Sequence, residues 1–197
     1  MITLSIIVLT AIVSLTALYV APVLQTGGLL RPYRTVRQGT WYELITSGFL
    51  HAGIGHLLVN MFVLFFFGVV LENTIGAAHF IALYMSGLLV SAIPSLLKYR
   101  DDPNYGTLGA SGAVESVLFA YIFLFPTDKL ILLILPIPIP AWLFGLLFLG
   151  YSIYESKKMR DNVNHEAHIA GAVWGILYLI FFYPNSIDHI LTILGLL

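Results

Sequence analysis

Apolar runs separated by short polar breaks occupy almost the whole chain. They lie at about Leu4–Leu24, Gly53–Leu71, Ala77–Leu97, Ser111–Phe125, Ala141–Tyr154 and His168–Tyr183. Roughly 20 apolar residues cross the hydrocarbon core of a bilayer, so the pattern predicts six transmembrane helices, the fourth short and stopped by Pro126. The polar segment carrying Arg31, Arg34, Arg37, Trp41 and Glu43 is too long for a turn and is expected to hold structure of its own. A second polar loop, Lys98–Gly109, carries Asp101, Asp102, Pro103, Asn104 and Gly106. Leu130–Pro140 is apolar, but Pro136, Pro138 and Pro140 remove backbone donors and forbid a regular helix. An extended connector at the membrane interface is predicted there. Lys157, Lys158, Arg160, Asp161 and Asn162 end the fifth helix, and Ile187–Leu197 reads as a short apolar tail. With no repeat and no sign of a second domain, residues 1–197 read as one all-α membrane domain, a compact six-helix bundle with a long structured first loop.

Composition agrees with the pattern. Hydrophobic residues make up 59% of the chain and charged residues 10%, with a mean hydropathy of +0.93. Soluble domains average about 45–50% apolar and about 25% charged, so lipid must cover this surface. A net charge of −1 gives no reason to expect a nucleic-acid partner, and the absence of cysteine excludes disulfide, thiol and Cys-zinc chemistry. Leu4–Leu24 is longer than the roughly 7–15 apolar residues of a signal peptide and no basic stretch precedes it, so it reads as a retained span. Eight of the nine basic residues fall in connections one, three and five, and only Lys129 lies on the other side. The positive-inside rule would place the eight on the cytoplasmic face.

Ionisable and amide side chains within spans are costly and mark function by default. Here they are His56 and Asn60 in the second span, Glu72 at its end, Ser111 and Glu115 in the fourth, and His168 opening the sixth. Spans two, four and six all start from the same membrane face, so His56, Ser111 and His168 arrive at similar depth on one side. Gly112, Ser116 and Ala120 form a smooth ridge on the fourth span, and Ala167, Gly171 and Gly175 another on the sixth. Small residues let membrane helices approach closely. Such ridges serve packing alone, or they bring the neighbouring Ser111 and His168 within hydrogen-bond reach.

The chemistry permitted is acyl transfer. A serine hydroxyl needs a base, usually histidine, to take its proton, and the tetrahedral oxyanion needs preorganised donors. His56 and Asn60, at i and i+4 on one helix face, are candidates, together with the Ser111 backbone N–H at a helix N-terminus. His51 is expected to be structural, tying down the first loop, and Glu72 to pin loops. Three rival readings remain. His165-Glu166-Ala167-His168 falls one residue short of the His-Glu-x-x-His metalloprotease motif. A silent helix-binding protein and a small transporter are the others, although paired broken helices in two similar halves are not evident.

From Trp41 onward the sequence resembles the rhomboid intramembrane serine proteases. Gly109-Ala110-Ser111-Gly112-Ala113 is similar to the family's G-x-S-G nucleophile motif, and Ala167-His168-Ile169-Ala170-Gly171 to its A-H-x-x-G base motif. His51, His56 and Asn60 match the second-helix pattern, and Gly68, Glu72 and Gly76 a further structural one. The resemblance implies a Ser111–His168 catalytic dyad without a third acidic member, in a water-filled cavity, with His56 and Asn60 lining the oxyanion site. It also implies single-span membrane proteins as substrates, the lipid bilayer as surroundings, no metal or other cofactor, and a cell membrane location with the cavity open to the extracytoplasmic face. That orientation conflicts with the basic-residue bias. The first loop would be the family's membrane-embedded hairpin and the fifth span its lateral gate. Three departures stand out: Tyr42 where Arg is common, Ser116 where Gly is common, and Glu115 where an aromatic ring usually lies against the histidine. The carboxyl of Glu115 either accepts a hydrogen bond from His168, fixing its tautomer in a Ser–His–Glu arrangement, or is protonated, bonded elsewhere and unrelated to the chemistry.

Overall fold

A chain in lipid must satisfy its backbone polar groups internally, and helices do so segment by segment. The computed structural model describes residues 1–131, 137–158, 163–193 and 195. Helix α1 (Ile2–Leu15) runs on through a π-helical turn, Thr16–Val20. The first loop holds α2 (Val23–Gly28), α3 (Pro32–Gln38) and α4 (Glu43–Thr46), ending in a 3-10 turn at Ser47–Phe49. The structure expected in this loop is therefore three short helices. Then come α5 (Ile54–Val63), a π turn at Leu64–Gly68, and α6 (Val69–Tyr99). Gly76, at φ 82° and ψ 156°, breaks α6 and returns the chain across the membrane. A side chain would be strained in that left-handed conformation. The second and third spans are thus two arms, 54–75 and 77–99, hinged at one glycine.

Helix α7 (Ser111–Leu124) is followed by a two-residue ribbon in which β1 (Lys129–Leu130) pairs antiparallel with β2 (Ile139–Pro140). The ribbon closes the ends of the predicted proline-rich connector; Pro136 falls outside the described residues. Helices α8 (Ala141–Lys158), α9 (His165–Phe182) and α10 (Asn185–Ile193) complete the fold. Of the polar cluster expected to end α8, Arg160, Asp161 and Asn162 lie outside the described residues, as do Leu194, Leu196 and Leu197 of the tail. Helices stand at all six predicted spans. Ile2–Val20, the 54–99 run and His165–Phe182 are long and apolar enough to cross a membrane, and α7 is a shorter apolar helix. The chain is an all-α, multi-pass membrane protein.

The bundle is organised around α7, nearly all of which is buried, with α6 and α9 packed against it. Lipid-facing positions are apolar: Leu4, Val8, Ile12 and Leu15 on α1, and Leu58, Val59 and Phe62 on α5, are exposed. The inward side of α1 is polar instead. Thr3, Thr10 and Ser14, at i, i+7 and i+11, are buried. Glu72 caps the start of α1, accepting from Ile2 N–H at 2.7 Å and from Thr3 N–H and Oγ1 at 2.8 and 2.7 Å. At the other end Ser14 Oγ lies 2.7 Å from Phe49 O and 2.9 Å from His51 Nδ1. Glu72 and His51 therefore hold α1 at its two ends.

The first loop is pinned by a buried carboxylate. Glu43 accepts from Arg31 N–H at 2.9 Å and Thr35 Oγ1 at 3.2 Å, and Arg34 lies 3.7 Å away. Leu30 and Thr107 exchange backbone bonds of 3.0 and 2.9 Å, tying this loop to the one before α7. On the face where α7 and α9 begin, Arg37 pairs with Asp101 and Lys98 with Glu166.

Candidate active site

The site is assembled where α7 starts. Gly109 has φ 128°, and its N–H bonds to Ser47 O at 3.0 Å. A Cβ on Gly109 would come within 2.7 Å of His56 Cε1 and 3.0 Å of Nε2, so glycine is required by both backbone and neighbour. Ser111 is the first residue of α7, so its backbone N–H has no acceptor within the helix. Its hydroxyl projects toward α9, where Ser111 Oγ lies 2.8 Å from His168 Nε2.

That distance depends on the small-residue ridges. A Cβ on Gly171 would collide with the carbonyl of Gly112, and one on Gly175 with the carbonyl of Ser116. Gly112 in turn leaves room for the Ser91 hydroxyl of α6. Backbone therefore meets backbone between α7 and α9, the close contact that small residues permit. Both the packing reading and the juxtaposition reading of the ridges describe the arrangement.

Ser111 and His168 line a cavity of about 460 Å³ together with His56, Asn60 and Glu115. His56 is half-buried, its ring edge-on to His51 at 4.9 Å. Asn60 is buried and spends one amide hydrogen on His56 O at 2.8 Å, leaving the other for a ligand. The structure thus gathers Ser111, His168, His56, Asn60, Glu115, Gly109 and Gly112 around one space.

Glu115 makes no hydrogen bond to His168 among the described residues; its Oε2 is buried and unpartnered. It sits a helical turn deeper than Ser111, while Nε2 of the imidazole is engaged by the serine. The ring beside His168 comes from another helix. Phe148 of α8 lies with its plane 18° from that of His168 and the centroids 6.3 Å apart. Sequence reasoning missed Phe148, because one aromatic among the several of an apolar helix looks like any lipid-facing residue. It also missed Asn164, the N-cap of α9, whose Oδ1 accepts from Ala167 N–H at 3.1 Å while Nδ2 donates to Ser95 Oγ at 2.8 Å. An Asn just before an apolar helix is a capping signal and would have found it.

His165 and His168 lie with ring centroids 6.1 Å apart, and no group of three His, Asp or Glu side chains able to hold a metal occurs among the described residues.

The rhomboid-domain family model matches residues 38–185. RHOMBOID-like protein 12, mitochondrial, of Arabidopsis thaliana is 33% identical over 151 residues, covering 69% of this chain and 45% of that protein. Rhomboid protein 1, mitochondrial, of Saccharomyces cerevisiae is 33% identical over 139 residues, covering 69% of this chain and 40% of its own. Rhomboid-related protein 1 of Caenorhabditis elegans is 33% identical over 161 residues, covering 77% and 43%. The matches span less than half the length of these relatives. The chain belongs to the rhomboid family.

Proposed function

We propose that the protein is an intramembrane serine endopeptidase that cleaves transmembrane-helix substrates with Ser111 and His168. The observation that carries this is the 2.8 Å approach of Ser111 Oγ to His168 Nε2 inside a cavity of a rhomboid-family chain. With its proton on Nδ1, the imidazole accepts the Ser111 hydroxyl hydrogen at Nε2 as Oγ bonds to the scissile carbonyl carbon. His168 then delivers that proton to the leaving amine, and the C–N bond breaks. Water, deprotonated by the same imidazole, hydrolyses the acyl ester and restores the serine. The oxyanion has three donors at hand: the backbone N–H of Ser111, the uncommitted amide hydrogen of Asn60, and a ring N–H of His56. A helical substrate hides its carbonyls in its own hydrogen bonds, so a segment prone to unwind is what this cavity can accept. The silent helix-binding alternative accounts for the cavity but gives no reason for the serine–imidazole hydrogen bond.

Several relatives carry "mitochondrial" in their names, which favours an organellar membrane over the cell membrane that the motif resemblance implies. Fractionation of the native cell decides the point. The enzymatic test is cleavage of a single-span substrate in liposomes by wild type, Ser111→Ala and His168→Ala. Loss of cleavage in both variants is expected, with a fluorophosphonate labelling the wild type but neither Ser111→Ala, which lacks the nucleophile, nor His168→Ala, which lacks its base. Wild-type cleavage by either variant would overturn the proposal.

A further inference from the structure

Glu115 differs from every other polar side chain around the cavity. It is only 9% exposed, and its Oε2 meets no hydrogen-bond partner among the described residues. The bonds of its neighbours go elsewhere: His168 Nε2 to Ser111, one Asn60 Nδ2 hydrogen to His56 O, Ser91 Oγ to Leu88 O, and Asn164 to Ser95 and Ala167. Among the described residues no lysine or arginine lines the cavity to neutralise a carboxyl. A carboxyl buried without a partner is costly, and one facing an intramembrane cavity marks a pathway or ligand contact. What it lacks is a donor, and the cavity is where a donor can enter.

The position sets what that donor is. Glu115 lies one turn along α7 from Ser111, about 6 Å at 1.5 Å of rise per residue. An extended substrate segment advances about 3.3 Å per residue. A side chain within about two residues of the bond held at Ser111 therefore reaches the Glu115 carboxyl.

We propose that Glu115 is a specificity-determining residue that selects substrates carrying a hydrogen-bond-donating or basic side chain within about two residues of the scissile bond. The proposal rests on the proteolytic reading and adds the substrate feature. A site built to bond a polar substrate group discriminates strongly against the analogue lacking it, because the buried partner is left unsatisfied.

The test is a panel of single-span substrates, identical except for Leu, Asn or Lys at each of the two positions on either side of the cleaved bond. They are assayed in liposomes with wild type, Glu115→Leu and Glu115→Gln. At one of these positions wild type is expected to favour Asn or Lys over Leu by about tenfold or more in kcat/KM. Glu115→Leu brings that ratio to about one or reverses it. Glu115→Gln keeps a preference for Asn over Leu but loses any preference for Lys over Asn. Ratios that are the same in all three proteins, or a wild-type preference for Leu at every position, overturn the proposal. If Glu115→Leu does not fold, the Lys-to-Asn ratio of Glu115→Gln decides alone. Absence of wild-type cleavage of every substrate, with no fluorophosphonate labelling of Ser111, defeats the proteolytic reading itself and this proposal with it. Cleavage without selectivity defeats only this one.

Discussion

Ser116 of α7 and Gly171 of α9 share an interhelical hydrogen bond: Ser116 Oγ lies 2.9 Å from Gly171 O while also reaching Gly112 O of its own helix at 3.0 Å. The bond sits just below the Ser111–His168 contact and ties together the two helices that carry it. On the far side of Ser116, Gly87 of α6 has no Cβ, and one placed there would overlap the hydroxyl. A serine where the family often has glycine therefore acts as a clip in a fitted notch.

Removing the clip and overfilling the notch should have different consequences. Ser116→Gly loses one intramembrane hydrogen bond, about 0.6 kcal/mol on average. Ser116→Val loses the same bond and in addition forces a methyl against Gly87, costing about 1–3 kcal/mol. Reversible unfolding in mixed micelles should rank wild type above Ser116→Gly and both above Ser116→Val. Equal stabilities would show that neither hydroxyl nor notch matters.

Gly171 and Gly175 make the same backbone contact at two depths, which separates packing from chemistry. Alanine at either position sets a methyl on a carbonyl of α7 and should destabilise by about 1–3 kcal/mol. Gly171 is three residues from His168, so Gly171→Ala should also push the imidazole away from Ser111 and cut fluorophosphonate labelling by about tenfold or more. Gly175→Ala, a turn deeper, should keep most of its labelling rate at a similar melting temperature. Equal losses of labelling would mean that the ridge does not position the dyad locally.

Spans, helix parity and the convergence of Ser111, His168, His56 and Asn60 were readable from sequence because hydrophobic runs and short motifs record them directly. Helix α1 was read only as an apolar span. Thr3, Thr10 and Ser14 each look unremarkable alone, yet together they form the buried polar stripe that meets Glu72 and His51. The compensation for Glu115 was also hidden. The ring beside His168 belongs to Phe148, twenty residues earlier and on another helix, and no local pattern encodes a contact between helices. The short helices of the first loop were too brief for periodicity to register, and Glu43 organises them through bonds to Arg31 and Thr35.

His51 gives the fold a pH dependence. It lies in the loop before α5, and burial, with a smaller contribution from the nearby His56, lowers its pKa from 6.5 to about 4. Ser14 Oγ donates to Phe49 O and so accepts from His51 Nδ1–H; a second proton on the buried Nε2 would have no acceptor. Below about pH 6.5 the unfolded chain takes up that proton while the folded chain does not. Stability is therefore full at neutral pH and declines as pH falls from 6.5 towards 4, by on the order of 3 kcal/mol in total. Unfolding midpoints of wild type and His51→Gln between pH 7.5 and about pH 4.5 check this. The variant should be less stable at neutral pH but should lose less on acidification, and parallel curves would remove His51 as the cause.

Asn164 is expected to position His168 without touching the substrate bond. Its Oδ1 caps α9 through Ala167 N–H, its backbone carbonyl accepts from His168 N–H at 3.2 Å, and its Nδ2 anchors the cap to Ser95 of α6. Asn164→Ser keeps a competent cap but cannot reach both ways, so the helix forms while its first turn is freed from α6. Asn164→Ala loses the cap as well, costing about 0.5–2 kcal/mol. A base displaced by even 1 Å can cost about a hundredfold in rate. Asn164→Ser should therefore melt near the wild-type temperature with kcat reduced about tenfold or more and KM little changed. Asn164→Ala should lose both stability and kcat. The split matters because a purely structural cap predicts that Ser restores kcat along with stability. Full activity in a stable Asn164→Ser protein would assign the Ser95 bond to packing alone, and a rise in KM with kcat intact would place Asn164 on the substrate rather than behind the imidazole.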